Sequence, residues 1–177
     1  MMLDSLITSK ARLKLLLKFF LNEETKAYLR ELAKEFNEST NNIRVELNRL
    51  TDAKMLVSEN VGRTVVYKAN VNHALFSDIQ NVVQKYVGLD RLADELLSRL
   101  GNVEAAYVVG DYARGIDSGL IDLVLVGKVK QDVLQDLVTK METAISRKIR
   151  SFVVQKSELD DLADQLDLAH ALPLWVA

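Results

Sequence analysis

The stretch YVVGDYARGIDSGLIDLVLVG, residues 107–127, decides the fold of the second half of this chain. Apolar, β-branched runs stand at both of its ends, and short runs of this composition are typical of buried strands. The loop between them begins at Gly110 and carries isolated carboxylates such as Asp111. Glycine lets a backbone turn sharply and come close to a ligand. The stretch therefore predicts two strands joined by a loop of the kind that handles phosphate.

The residues that follow complete this domain. Residues 129–147 predict a helix, residues 149–155 a third strand, and residues 156–166 a last helical stretch. Strand, strand, helix and strand in this order form an α/β arrangement, which we assign to residues 101–177. Near the end, Pro173 and Trp175 predict a tail that docks on the core.

This pattern resembles the signature of minimal nucleotidyltransferase domains of the polymerase-β-like superfamily. In that family a Gly-Ser pair ends the first strand, ARG follows, and an Asp-x-Asp pair lies on the next strand. Gly110 matches the family glycine, and Ala113, Arg114 and Gly115 match ARG. The resemblance implies two metal ions held by carboxylates, which bridge the triphosphate during in-line displacement.

The chain departs from that signature at its acids. Asp111 replaces the serine and adds a charge that repels phosphate, and Leu120 replaces the first Asp of the pair, so that Asp122 is the matching acid. Ser151 is the nearest counterpart of the third acid expected on the later strand. We therefore predict no catalytic residues, no metal ligands and no cofactor. The predicted degenerate nucleotide site consists of Gly110, Asp111, Arg114, Gly115 and Asp122.

Residues 1–70 predict a separate domain. Residues 8–21, 26–36 and 40–56 carry apolar side chains at helical spacing, and residues 56–70 form two β-rich segments around a turn at Gly62. Three helices followed by a hairpin resemble the winged helix-turn-helix fold of arsenic-repressor and MarR-like regulators.

That resemblance implies contact with double-stranded DNA through the third helix and the hairpin. If the apolar side chains of the third helix face the core, its polar side chains are free to meet base edges or phosphates. The candidate DNA-binding residues are Thr40, Asn41, Asn42, Arg44, Asn48, Arg49, Arg63 and Lys68. The alternative is that these are ordinary solvated side chains, and Glu46 on the same helix opposes phosphate unless it accepts from cytosine.

Residues 71–100 predict connecting helices. Apolar side chains follow each other at alternating spacings of four and three, as in the seam of two paired helices: Leu75, Ile79, Val82, Tyr86, Leu89, Ala93, Leu96 and Leu100. Gly88 and Asp90 favour two shorter helices over one long rod. The seam predicts either a homodimer interface or packing on the chain's own domains.

Composition excludes several classes of function. The chain has no cysteine, which excludes disulfides and thiolate chemistry, and its two histidines are too few for a typical ligand cluster. The net charge is -2, yet residues 1–70 hold 12 Lys and Arg against 9 Asp and Glu, whereas the rest holds 11 against 16. A polyanion is therefore expected to meet the N-terminal part. The apolar runs are too short to span a membrane, and we expect a cytoplasmic protein.

Together these observations predict an α+β protein: an N-terminal winged helix-turn-helix domain, connecting helices, and a C-terminal α/β nucleotidyltransferase-like domain. The main functional hypothesis is a homodimeric DNA-binding transcriptional regulator that is not an enzyme and whose C-terminal domain senses a small molecule or binds a protein. The first alternative is a divergent Mg-dependent nucleotidyltransferase with the winged helix as a targeting arm. The second is an interaction protein whose winged helix binds protein.

Overall fold

The computed structural model describes residues 2–100 and 103–176, which form a mixed α+β structure with helices and two sheets. It divides into two compact units, Met1–Tyr86 and Val87–Ala177, so that the predicted connecting segment 71–100 is shared between them. None of the helices in the described ranges is long and apolar enough to cross a bilayer. The elements of the N-terminal unit are α1 Met2–Leu6, α2 Lys10–Phe20, β1 Lys26–Tyr28, α3 Leu29–Phe36, α4 Thr40–Asp52, β2 Leu56–Val61, β3 Thr64–Ala69 and α5 Phe76–Val87, which runs one residue into the next unit.

The N-terminal unit packs its helices beside a small antiparallel sheet of order β1-β3-β2. The hairpin of β2 and β3 forms where it was predicted, around Gly62. Two helix predictions were too long. Residues 26–28 pair with β3 instead of joining the helix over 26–36, and α4 ends at Asp52, before the left-handed backbone of Lys54. Ser39 caps α4, since its hydroxyl accepts from the Asn42 amide at 3.1 Å.

A buried carboxylate joins α4 to α2. Glu46 is 3% exposed, and it accepts hydrogen bonds from Ser9 Oγ at 3.0 Å and from Arg12 Nε at 2.8 Å. Arg49 Nη1 lies 3.1 Å from the same carboxylate. Burial opposes ionisation, but these hydrogen bonds and charges outweigh it and hold the pKa of Glu46 below its usual range. Glu46 therefore points into the unit, where its carboxylate is paired, and it neither opposes phosphate nor meets cytosine from the outer face of α4.

The predicted seam over residues 75–100 is not continuous. On α5, Phe76, Val83 and Val87 are buried, while Val82 and Leu75, the residue just before α5, are 47% and 51% exposed. The residues that continue the spacing on the next helix are mostly buried in the C-terminal unit: Leu89, Leu96 and Leu100. Only the α5 half of the seam can therefore meet another molecule.

The C-terminal unit is built on one four-stranded sheet. Its elements are α6 Leu89–Arg99, β4 Val103–Val109, α7 Gly110–Ala113, β5 Leu120–Gly127, α8 Gln131–Ile145, β6 Lys148–Val154, α9 Leu159–Leu162 and β7 Leu172–Val176. The strand order is β6-β5-β4-β7, in which β5 and β6 run parallel and the other neighbours antiparallel. The predicted strands and the long helix are present, with shifted ends. The tail does more than dock, since Pro173 and Trp175 lie on the edge strand β7.

The two faces of this sheet differ. Ile121, Leu123 and Leu125 of β5 are fully buried. On the opposite face of the same strand, Val124 and Val126 pack against Leu159, Leu162 and other apolar residues of the segment 156–171. Asp122 belongs to this second set, because side chains two apart share a face. The fold thus places one carboxylate on a mostly apolar face, at the end where β5 begins.

Candidate functional site

The turn after β4 is pressed against the Asp122 carboxylate. Gly110 has a φ of +68°, which L side chains rarely adopt. A Cβ built on Gly110 would lie 2.8 Å from Asp122 Oδ2. The backbone conformation therefore favours glycine here, and a Cβ would require the Asp122 carboxylate to shift. The structure places Gly110 and Asp122 side by side, and their assignment to a nucleotide site stays a prediction.

The partner of Asp122 is Arg150, which the sequence analysis missed. The parallel register of β5 and β6 sets Arg150 opposite Asp122. Arg150 Nε donates to Asp122 Oδ1 at 2.6 Å, and the guanidinium carbon lies 5.6 Å from the centre of the Phe152 ring. The Asp122 side chain is 14% exposed and that of Arg150 is 58% exposed. Ser151, the predicted counterpart of the third acid, pairs instead with Leu123 and belongs to the other set of side chains.

Arg114 is held by the C-terminal segment. Its Nη2 donates to Asp167 Oδ2 at 2.6 Å, and His170 Nδ1 lies 2.7 Å from the other oxygen of Asp167. The hydrogen bond with His170, followed by that with Arg114, holds the pKa of Asp167 below its usual range. Arg114 therefore pairs with Asp167, whereas Asp122 pairs with Arg150.

A buried polar network holds the loop between Gly110 and β5. Tyr112 is fully buried, its hydroxyl donates to Asp117 Oδ1, and it accepts from Arg147 Nε at 2.9 Å. Arg147 also donates to both oxygens of Asp117, at 3.0 and 2.6 Å. Burial and the Asp117 carboxylate raise the pKa of Tyr112, so that this hydroxyl stays protonated. Asp117 is thus committed to the network and to positioning the loop.

The two departures from the family signature remain in the same neighbourhood. Asp111 is exposed in the first turn of α7, which starts at Gly110. Leu120 is half-buried at the start of β5, two residues before Asp122 and on the same face. Gly115 has a φ of +73° and lies two residues after the end of α7.

These residues do not fit the two metal ions that the nucleotidyltransferase fold implies. Within residues 2–100 and 103–176, no three His, Asp or Glu side chains form a group that could hold a metal ion. Asp122 already carries a guanidinium at 2.6 Å, and an alkyl side chain stands at Leu120. A site of this kind needs several carboxylate oxygens to offset dehydration of the cation.

The candidate DNA-binding side chains of the N-terminal unit are all exposed. They are not all free, since Asn42 donates to Glu38 at 2.8 Å and Arg49 pairs with Glu46. Arg63 lies at the tip of the β2–β3 hairpin, whereas Lys68 lies near its other end, opposite Lys26 of β1. The structure therefore gathers the α4 residues on one surface and leaves Lys68 apart from Arg63.

Comparisons with known proteins give a partial likeness. No protein-family model matches the chain, and no curated protein matches it. A solved toxin–antitoxin structure with AMP-PNP is 15% identical with a TM-score of 0.42, covering 51% of this chain and 74% of that one. A tri-AMPylated HEPN toxin from Shewanella oneidensis in complex with MNT antitoxin is 13% identical with a TM-score of 0.38, and the match covers 50% of this chain and 70% of that one. A candidate nucleotidyltransferase from Sulfolobus solfataricus is 20% identical with a TM-score of 0.36, and the match covers 52% of this chain and 81% of that one.

At these identities the likeness concerns the fold alone, and it agrees with the prediction of a nucleotidyltransferase-like domain. It contradicts the main functional hypothesis. The similar structures are a toxin–antitoxin system and a candidate nucleotidyltransferase, so the predictions of a DNA-binding transcriptional regulator and of a chain without enzymatic activity are corrected.

Proposed function

We propose that the chain is a divergent nucleotidyltransferase whose N-terminal unit is a targeting arm. The observation that carries this proposal is the Gly110 turn, which is packed so closely on Asp122 that a Cβ would lie 2.8 Å from the carboxylate. Two arginines belong to the surrounding elements: Arg114 follows the turn in the chain, and Arg150 lies opposite Asp122 on the adjacent strand. Both side chains are more than half exposed. A carboxylate beside a glycine turn and two cations can hold a phosphate chain and accept a proton.

The reaction that suits these groups is transfer of a nucleoside monophosphate to a hydroxyl. The acceptor oxygen attacks the α-phosphorus, the new O–P bond forms, and the bond from the α-phosphorus to the oxygen that bridges to the β-phosphate breaks. Pyrophosphate leaves with the electron pair of that bond, and the acceptor proton passes to Asp122. Arg114 and Arg150 stabilise the charge on the phosphate oxygens, as fixed cations do in sites of phosphoryl transfer.

Label transfer tests this function. Purified full-length protein is incubated with each nucleoside triphosphate labelled at the α-phosphate, and with duplex DNA, transfer RNA or the protein itself as acceptor. Reactions run both with excess Mg²⁺ and in EDTA. We expect label on one acceptor class together with release of pyrophosphate. Absence of label on every acceptor in both conditions would contradict the function.

The arm is proposed to be a winged helix that contacts a nucleic-acid duplex. What supports this is the order of three helices and a hairpin, the exposed polar face of α4, and the excess of basic residues in residues 1–70. On this proposal α4 lies in the major groove and Arg63 touches phosphate or the minor groove at the hairpin tip.

Arg44→Ala is expected to weaken duplex binding by about tenfold, since one arginine contact to a base edge contributes about 1–3 kcal/mol. The measurement is fluorescence anisotropy with a labelled duplex over a series of salt concentrations, with Arg99→Ala in the other unit as the control. Binding should also fall steeply with salt. Equal affinities of both variants, or salt-independent binding, would rule out the arm.

A homodimer through α5 is also proposed. The face formed by Leu75, Ile79 and Val82 is exposed or half-buried in this chain, and its spacing suits a second copy of the same helix. In an antiparallel pair related by a two-fold axis, Asp78 of one copy approaches Lys85 of the other, so the charges beside the apolar face are self-complementary.

Sedimentation velocity tests the dimer. The wild type is expected to sediment as a dimer and Val82→Glu as a monomer, because a carboxylate would be buried without a partner at the interface. Val61→Glu, at a hairpin residue that is 48% exposed, serves as the control and should remain dimeric. A monomeric wild type would refute this interface.

A further inference from the structure

We propose that the guanidinium of Arg150 takes the place of a divalent cation at Asp122, so that this site binds the phosphate chain of a nucleoside triphosphate without a metal ion. The inference rests on the proposed function, because it names how the same site holds its substrate. Its starting observation is that the residues around Asp122 do not supply the carboxylates that a two-metal site needs.

The position of Arg150 follows from the sheet. The parallel register pairs it with Asp122 on the adjacent strand, and the two side chains share a face. Its Nε lies 2.6 Å from Asp122 Oδ1, which is where a cation held by this carboxylate would have to come. A positive group fixed at that distance repels a second cation. Asp122 is therefore neutralised by the chain itself.

The remaining donors of Arg150 suit phosphate. Within the described residues, the Arg150 guanidinium donates one hydrogen bond, from Nε to Asp122. Its two amino groups are therefore available to donate to a phosphate. The side chain is 58% exposed, and the guanidinium carbon lies 5.6 Å from the centre of the Phe152 ring. A planar guanidinium donates two parallel hydrogen bonds to phosphate oxygens. Arg114, in the loop that follows Gly110, is anchored on Asp167 and supplies a second exposed guanidinium.

The charges that face this arrangement are not all favourable. Asp122 and Asp167 are each paired with a guanidinium, and His170 contacts Asp167. Asp111 is exposed in the first turn of α7 and opposes an approaching anion. Replacing it with the serine of the family signature removes one repulsive charge, so Asp111→Ser is expected to tighten triphosphate binding by about fivefold.

Calorimetric titration with ATP in EDTA and with excess Mg²⁺ tests the substitution of metal by arginine. We expect wild-type protein to bind ATP at least as tightly in EDTA as with Mg²⁺. Arg150→Gln should lose about tenfold or more in affinity, since it gives up a charge-assisted contact, while Arg99→Gln, an exposed arginine paired with Glu95, should not change. Binding that appears only with Mg²⁺, or no binding in either condition, would overturn the proposal.

A gain of metal binding supplies the reverse test. The double variant Leu120→Asp, Arg150→Asp restores carboxylates beside Asp122, and Mn²⁺ binding is followed by electron paramagnetic resonance. The variant should bind one Mn²⁺ at least about tenfold more tightly than the wild type. If the double variant unfolds, Arg150→Gln is titrated with Mn²⁺ in its place and should also bind it more tightly than the wild type. Tight binding of Mn²⁺ by the wild type, lost in Asp122→Asn, would contradict the inference.

The two proposals can fail separately. Metal-free ATP binding without label transfer would contradict the transferase function and support the role of Arg150. Label transfer that requires Mg²⁺ would support the function and remove the role of Arg150 as a cation.

Discussion

Asp122→Asn is expected to lower nucleotidyl transfer by about 10²- to 10⁴-fold, the usual contribution of a proton acceptor in the transition state. The asparagine keeps the size of the side chain beside Gly110 but cannot take the proton of the acceptor hydroxyl. It also leaves the Arg150 guanidinium without its carboxylate. The rate of label transfer from an α-labelled triphosphate measures this loss.

The matched control is Asp136→Asn, because Asp136 is an exposed carboxylate on α8. It should transfer label at the wild-type rate. Circular dichroism on both variants separates a chemical loss from unfolding. An Asp122→Asn protein that transfers label as fast as Asp136→Asn would show that Asp122 plays no part in the chemistry.

Asp117→Ala is expected to destabilise the C-terminal unit by about 3 kcal/mol or more, because it removes the carboxylate that pairs with the buried guanidinium of Arg147. The Arg147 side chain is 4% exposed, and Asp117 receives hydrogen bonds from it through both oxygens. Tyr112 loses its acceptor in the same change. Urea unfolding of the variant and the wild type gives the difference in free energy of unfolding.

Glu95→Ala is the control for that comparison. Glu95 bridges Arg99 and Lys140 at the surface, and such exposed pairs contribute about 0–1 kcal/mol. A loss of stability in Asp117→Ala no larger than that in Glu95→Ala would mean that the Tyr112–Asp117–Arg147 network does not hold the loop.

The same network predicts a pH dependence. Burial alone would raise the pKa of Asp117, but the hydrogen bonds from Arg147 and Tyr112 outweigh it and hold the pKa below its usual value. A carboxylate whose pKa is lower in the folded state stabilises the fold above about pH 4, and this stabilisation is lost as the pH falls through the folded-state pKa. Stability measured below pH 4 should therefore fall less steeply in Asp117→Ala than in the wild type.

Part of this site could be read from the sequence. Gly110 and Asp122 were assigned to one site because residues 107–127 resemble the signature of minimal nucleotidyltransferase domains. Arg150 was not, because its contact with Asp122 depends on the parallel register of β5 with β6, across a helix of 15 residues. An exposed arginine on a predicted strand carries no sign of which strand will lie beside it.

The N-terminal unit shows where helical spacing misleads. Glu46 lies in the same set as Ile43, Leu47 and Leu50, at spacings of three and four, and that set faces inward. From the sequence, Glu46 was considered only in relation to phosphate or cytosine, although its partners Ser9 and Arg12 on α2 make burial possible. The alternating spacing over residues 75–100 misleads in a similar way. Leu89 and Leu96 are buried inside the C-terminal unit, because packing within a chain uses the same periodicity as a dimer seam.

The measurement that tests the account most directly is a crystal structure of the full chain with a non-hydrolysable triphosphate analogue, grown in EDTA. The account predicts the phosphate chain beside the Gly110 turn, with phosphate oxygens within hydrogen-bond distance of the Arg150 and Arg114 guanidiniums. A nucleotide bound elsewhere, or held at Asp122 only after Mg²⁺ is added, would contradict it.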